Sequence, residues 1–111
     1  MMSTITFEDF NKVDIRVGTI KEVNDFPEAR NPAYILTIDF GSLGIKKSSA
    51  QITTLYKKED LVDRQILAVV NFPKKQIANI KSECLVLGAV DSKDVILLKP
   101  ENRVQNGTIV S

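Results

Sequence analysis

Apolar and polar residues alternate with a period of two along much of this 111-residue chain, and turn-forming residues interrupt the alternation at short intervals. The clearest stretch runs from Tyr34 to Phe40, where the residues at every second position are large and apolar. The turn-forming segment 41–44 then leads into a second short strand at 45–50, so the two strands form a predicted β-hairpin. Because successive side chains of a strand point to opposite faces, this pattern predicts an all-β barrel or sandwich with helix as the minor component.

The N-terminal region predicts a short helix followed by a long, bent strand. Thr6 and Asp9 have the spacing of a capping box, which predicts a short capped helix after Thr6. The apolar alternation that starts at Val13 changes phase before Ile20. Since one added residue swaps the face of everything that follows it, we expect a β-bulge near Gly18. A first strand bent in this way serves two sides of a small barrel.

Three connections are predicted between the other strands. Segment 26–32 contains two prolines and is expected to be a loop, because proline is excluded from helix interiors and central strands. Segment 51–56 is expected to form a short helical turn. Segment 57–64 is expected to be a polar connection that Leu61 and Val62 anchor to the core.

The three late segments 66–70, 84–90 and 95–98 are apolar on both alternating faces, so their strands need cover on both sides. The barrel interior covers one face. For the other we favour a second subunit in addition to the chain termini, since two-fold dimers are the commonest way to bury a self-complementary apolar patch. The alternative is that the N-terminal helix and the C-terminal tail cap the barrel within one monomer.

The composition argues against metal sites and catalysis. The chain has no histidine and one cysteine, Cys84, whereas a zinc site needs several such ligands. Cys84 lies in an apolar strand, where a buried, inert thiol is the favoured interpretation. No glycine-rich phosphate loop of the ATPase type is present. We therefore expect a binding protein without catalytic residues, metal ions or cofactors.

Length and composition predict a single domain over residues 1–111. The sequence has neither a signal-like apolar segment at its start nor an apolar run long enough to span a bilayer. Together with the single thiol, these features predict a reduced, cytoplasmic protein without membrane insertion.

The net charge is +1, but the basic residues are concentrated in the middle of the chain. Residues 41–81 carry eight basic and three acidic side chains, a net charge of +5. Within this region, segments 44–58 and 71–81 contain lysines and no acidic residue. If the two segments lie close together, they form a positive patch that attracts phosphates or acidic peptide. The alternative is an ordinary, solvated lysine-rich surface.

Several separated motifs resemble one known family. Segment 14–20 (DIRVGTI) and segment 70–73 (VNFP), followed by Ser82-Glu83, are similar to the tRNA-binding OB domains appended to methionyl- and phenylalanyl-tRNA synthetases. Four further segments resemble the small free-standing chaperones of that family: 26–30 (FPEAR), 38–41 (IDFG), 48–53 (SSAQIT) and 106–108 (NGT). The chain departs from the synthetase-type pattern where it has Phe26-Pro27 in place of a His-Pro loop and Cys84 in place of a glycine.

This resemblance implies an OB-fold five-stranded barrel with short helices, an N-terminal helix and a C-terminal extension. It also implies a homodimer that acts as an export-related chaperone and binds unfolded or precursor polypeptides without nucleotide hydrolysis. The alternative function is that of a structure-specific tRNA-binding protein.

Each function has its own candidate residues. For polypeptide binding, the apolar candidates are Tyr34, Phe72, Ile77 and Ile80. For tRNA binding, the candidates that can contact phosphates or bases are Lys46, Lys47, Asn71, Lys74, Lys75, Lys81 and Ser82. Phe72 could instead be a core residue, Ile77 and Ile80 could plug the end of the barrel, and Asn71 and Ser82 could satisfy neighbouring backbone groups.

Overall fold

The computed structural model describes residues 3–111, in which ten strands, two α-helices and one 3₁₀ turn are present. The strands are β1 (Ile15–Asp25), β2 (Tyr34–Asp39), β3 (Ile45–Ala50), β4 (Gln65–Val69), β5 (Lys75–Ile77), β6 (Ile80–Ser82), β7 (Leu85–Val86), β8 (Gly88–Asp91), β9 (Asp94–Leu97) and β10 (Ile109–Val110). The helices are α1 (Phe7–Asn11) and α2 (Lys58–Leu61), and the 3₁₀ turn is Gly41–Leu43.

Five of these strands form a nearly closed antiparallel barrel in the order β3-β2-β1-β4-β7. The long β1 pairs with β4 through its first half and with β2 through its second half, so it serves two sides of the barrel. The gap between β3 and the residues that precede β7 is bridged by hydrogen bonds that include Glu83 N to Lys47 O at 2.8 Å and Ser48 Oγ to Cys84 O at 3.1 Å. The prediction of an all-β, OB-type barrel with short helices is confirmed.

The core lies inside this barrel and follows the predicted alternation. Leu36, Ile38 and the adjoining Phe40 are fully buried, whereas Thr37 and Asp39 are half-buried on the other face of β2. Ile20 of β1 is also fully buried in the same cluster.

The bulge in β1 lies further along the strand than the sequence predicted. Gly18 pairs regularly with Ile66 of β4, and the shift in register falls between Ile20 and Glu22. Gly18 is required for packing and not for a bulge, because a Cβ atom there would lie 2.7 Å from both Ile38 Cγ2 and Phe40 Cε1. The missing side chain therefore lets the core approach β1 closely.

The N-terminal helix has the predicted capping box. Asp9 N donates to Thr6 Oγ1 at 3.1 Å, and Thr6 N donates to Asp9 Oδ2 at 3.2 Å. However, α1 buries none of its residues, and Phe7 is 87% exposed. The helix therefore does not cap the barrel within one monomer.

Segments 51–56 and 57–64 connect β3 to β4. The first contains the expected single turn, in which Tyr56 N donates to Ile52 O at 3.3 Å. The second contains helix α2, so it is more regular than the predicted polar connection. Leu61 is fully buried, but Val62 is 48% exposed. Leu61 is thus the anchor, and the prediction was wrong for Val62 because the chain becomes extended at that residue and turns its side chain outward.

The C-terminal tail, residues 104–111, lies against β1 on the side that β2 leaves open. Gly107 N donates to Val17 O at 2.7 Å, Val17 N donates to Thr108 O at 2.9 Å, and β10 pairs with Ile15 and Arg16. Gly107 has φ +89°, and a Cβ atom there would lie 2.6 Å from Phe40 O. Only glycine fits this approach without strain.

The late apolar segments form separate short strands. Segment 84–90 is divided between β7 and β8, and β8 continues into a two-stranded hairpin with β9. Leu85, Val90 and Ile96 are exposed in the single chain. Among the described residues, no helix is long and apolar enough to span a membrane.

Candidate functional site

An open groove of about 650 Å³ lies beside the end of β3. We call it the hairpin groove, because the hairpin β5–β6 and the loop before it form much of its wall. Its lining is mostly apolar, with two lysines. The lining residues are Ser49, Phe72, Pro73, Lys74, Lys75, Gln76, Ile77, Ser82, Cys84 and Leu85.

The β5–β6 hairpin is formed by a two-residue turn at Ala78 and Asn79, which brings Ile77 opposite Ile80. Ala78 has φ +48°, a left-handed conformation that costs a residue with a side chain about 1–2 kcal/mol. The side chain of Gln76 supports the turn by donating from Nε2 to Ala78 O at 2.8 Å.

Glu83 holds this wall against the barrel. Its Oε1 accepts from Lys47 N at 3.0 Å, and its Oε2 lies 3.4 Å from Lys74 Nζ. The hydrogen bond from the Lys47 N–H, more than the Lys74 ammonium, lowers the pKa of Glu83. Glu83 therefore stays ionised at neutral pH and links Lys74 to β3.

The four predicted polypeptide contacts do not lie together. Phe72 is 55% exposed and lines the hairpin groove with Ile77. Ile80 is half-buried on the opposite strand of the hairpin, outside the groove lining. Tyr34 lies in the core, and its hydroxyl donates to Tyr56 O at 2.9 Å. The structure therefore places Tyr34 outside the site, because its alternation with Leu36 and Ile38 directs it inward.

The two lysine-rich segments are brought together by the fold. Lys46 and Lys47 lie on β3, Lys74 and Lys75 border the hairpin groove, and Lys81 lies on β6. Strands β3 and β6 are adjacent, since Ser49 N donates to Ser82 Oγ at 3.3 Å.

Two other predicted tRNA contacts have structural partners. Asn71 accepts from Asp14 N at 2.9 Å through Oδ1 and donates to Lys12 O at 2.7 Å through Nδ2. The Ser82 hydroxyl accepts from Ser49 N and lies 3.4 Å from Cys84 O. Both side chains satisfy backbone groups, which was the alternative interpretation of these positions.

Cys84 lies beneath the hairpin groove and is buried, as predicted. Burial raises the pKa of its thiol to about 12. The sulfur is therefore protonated at neutral pH and acts as an apolar packing group.

A second groove of about 390 Å³ adjoins the first and shares Ser49 and Leu85 with it. We call it the seam groove, because it lies where β3 and β7–β8 diverge. Its lining contains no charged residue: Ser49, Ala50, Gln51, Leu85, Val86, Leu87, Gly88, Val90, Val95 and Leu97. The two grooves form one apolar surface with lysines at one end.

Pro73 and Leu85 line this surface, and Glu83 lies next to it through its contact with Lys74, but none of the three was a candidate from the sequence. The only indication in the sequence for Glu83 was its place in the Ser82-Glu83 motif. Its hydrogen bond with Lys47 N forms only because the fold brings β3 next to the residues before β7. Within residues 3–111, no group of three or more cysteine or acidic side chains is arranged to hold a metal ion.

A small barrel with an apolar groove and clustered lysines defines a binding domain. Residues 15–109 match the family described as "Putative tRNA binding domain", and the chain belongs to this family of tRNA-binding domains. This confirms the resemblance found in the sequence motifs.

The chain is similar to two solved structures of the chaperone CsaA. It is 54% identical to the Bacillus anthracis protein, with a TM-score of 0.93 and coverage of 98% of this chain and 100% of that one. It is 55% identical to the Picrophilus torridus protein, with a TM-score of 0.92 and coverage of 97% and 100%. It also matches methionine–tRNA ligase of Pyrococcus furiosus, at 35% identity over 109 residues. That match covers 98% of this chain and 15% of the ligase.

Proposed function

We propose that the chain is a cytoplasmic, homodimeric chaperone that binds unfolded or precursor polypeptides destined for export, without catalysis or nucleotide hydrolysis. One observation carries this proposal: the open apolar surface formed by the hairpin and seam grooves. Two solved structures that share more than half of their residues with this chain are described as CsaA chaperones, which supports the same function.

A passive polypeptide-binding protein needs exposed apolar surface that competes for unfolded chain, bordered by polar groups that prevent self-association. Phe72 and Leu85 are about half exposed in the hairpin groove. Lys74 and Lys75 border them, and lysine side chains add apolar methylene groups beneath their charges. The groove therefore suits an apolar polypeptide segment with acidic residues nearby.

The homodimer is supported by apolar side chains outside the grooves. Ile5, Phe7, Ile96 and Ile109 are all more than 40% exposed in the single chain. Ile5 and Phe7 lie together in one shallow depression with Phe10, and a contiguous exposed apolar patch on a small domain commonly marks a contact between subunits.

Replacing Phe72 by alanine is expected to weaken polypeptide binding. The aromatic ring of Phe72 is available to bury against a client, and its loss should raise Kd about tenfold. The measurement is a titration of fluorescein-labelled, reduced and carboxymethylated α-lactalbumin at physiological salt, with unlabelled bulk tRNA as competitor.

Leu55→Ala is the matched control, because Leu55 is exposed to a similar degree but lies outside both grooves. Its Kd should equal that of the wild-type chain. Equal Kd values for the Phe72 and Leu55 variants would contradict the proposed site, and tight tRNA binding without polypeptide binding would contradict the chaperone function.

The second candidate function is tRNA binding, which the clustered lysines favour. The slope of log K against log salt is negative, and if Lys74, Lys75 and Lys81 neutralise phosphates, their simultaneous replacement by alanine should reduce the magnitude of this slope by about 3. Filter binding of bulk tRNA over a range of salt concentrations measures this slope.

The control variant is Lys21→Ala, Lys93→Ala, Lys99→Ala, which removes the same charge from positions outside the lysine-rich segments 44–58 and 71–81. Its slope should remain that of the wild-type chain. The same loss of slope in both variants would assign tRNA affinity to net charge rather than to this surface.

A further inference from the structure

The β8–β9 hairpin has one paired edge and one open edge. Strand β8 pairs with β9, and within residues 3–111 no other strand pairs with β8. Val90, in the middle of β8, is 75% exposed. An open strand edge of this kind is a site for pairing with another main chain.

The hydrogen-bonding pattern of the hairpin identifies which groups face outward. Asp91 and Asp94 flank the two-residue turn, so they form a hydrogen-bonded pair. Because hydrogen-bonded and non-hydrogen-bonded pairs alternate in an antiparallel ladder, the main-chain N–H and C=O groups of Val90 and Gly88 point away from β9. They present two donors and two acceptors along the open edge.

The surface next to this edge is the seam groove, whose lining has no charged side chain. Gly88 and Val90 belong to that lining together with Leu85 and Leu97. A nucleic-acid backbone would find no positive charge in this groove to neutralise its phosphates, and its phosphates carry no N–H donors to pair with the open strand edge. An extended polypeptide offers both matching backbone groups and apolar side chains at every second position.

We infer that the seam groove binds a client polypeptide by strand addition, in which an extended segment pairs with the open edge of β8. Main-chain hydrogen bonds to Gly88 and Val90 hold the segment, and its alternate side chains lie on the apolar floor around Leu85 and Leu97. The segment continues into the hairpin groove, since both grooves share Ser49 and Leu85. This inference rests on the proposed chaperone function and adds the binding mode.

The test uses a labelled synthetic peptide that alternates leucine and threonine and ends in aspartates. In a set of variants, one backbone amide at a time is N-methylated. Strand addition predicts that methylation at every second amide raises Kd about tenfold, while methylation at the intervening amides changes it less than about twofold. A peptide of repeating sequence can also bind shifted by two residues. Such a shift leaves the same alternate amides facing β8, so the odd–even pattern, here called parity, remains measurable.

The protein side is tested with Val90→Pro, which removes the outward N–H. Proline is tolerated on an edge strand where the N–H faces solvent, so the hairpin should stay folded. Val90→Ala is the control that removes the side chain and keeps the N–H. The proline variant should raise Kd for the unmethylated peptide about tenfold relative to the alanine variant.

The outcomes separate the two proposals. Peptide binding without parity, or equal Kd for the two Val90 variants, overturns strand addition and leaves the chaperone function standing. If the protein binds neither the unmethylated peptide nor unfolded α-lactalbumin, both strand addition and the chaperone function are overturned. If Val90→Pro halves the mass in sedimentation equilibrium and leaves peptide affinity unchanged, the open edge pairs with a second copy and strand addition by clients is overturned.

Discussion

Replacing Leu61 by alanine is expected to lower the free energy of unfolding by about 2–5 kcal/mol, because deletion of a buried leucine side chain loses its burial and leaves a cavity. Leu61 is the fully buried residue of α2 and packs in the barrel core. Urea unfolding monitored by circular dichroism measures the change.

Val62→Ala is the matched control, since Val62 is the next residue and is largely exposed. Its effect should stay within about 0.5 kcal/mol. Equal losses for the two variants would mean that both residues anchor segment 57–64, as the sequence alone suggested.

Replacing Gln65 by methionine is expected to lower the free energy of unfolding by about 2–4 kcal/mol, because buried polar groups lose their partners. Gln65 is buried in β4, and its side chain holds the C-terminal tail. Its Oε1 accepts from Val104 N at 3.0 Å, and its Nε2 donates to Val104 O at 2.7 Å and to Asn106 Oδ1 at 3.2 Å. Urea unfolding gives the total loss, and hydrogen exchange at Gly107 N–H should accelerate more than exchange inside the barrel.

Gln105→Met is the control, because Gln105 lies in the same tail with an exposed side chain. It should leave both unfolding and exchange unchanged. If exchange at Gly107 were unaffected by the Gln65 substitution, the tail would be held mainly by its main-chain bonds to β1.

Much of the barrel could be predicted from local pattern, because alternation depends on which face of a strand is buried. The β2–β3 hairpin, the capped α1 and the loop at 26–32 all follow from neighbouring residues. The bulge could not be placed in the same way. A glycine inside a strand indicates either a bulge or a close approach of packed side chains. At Gly18 it is the close approach of Phe40, which lies in a distant part of the chain.

The candidate site was less accessible to sequence reasoning for the same physical reason. Phe72 and Ile77 lie in a lysine-rich segment, but the sequence left open whether they line a site or pack in the barrel, and the structure places both in the hairpin groove. Tyr34 was an aromatic residue like Phe72, but its strand phase buries it. Glu83 gains its importance from a hydrogen bond to the backbone of β3, and no spacing along the chain encodes a contact across the barrel.

The pairing of β10 with β1 has a consequence for biosynthesis. Ile15 pairs with Val110, so strands from nearly opposite ends of the sequence must meet. Pairings of such long sequence separation slow folding, because the loop between them must close first. On the ribosome, β1 is made well before its partner β10, so the edge of β1 that β10 covers is open to association between nascent chains until residues 104–111 have emerged.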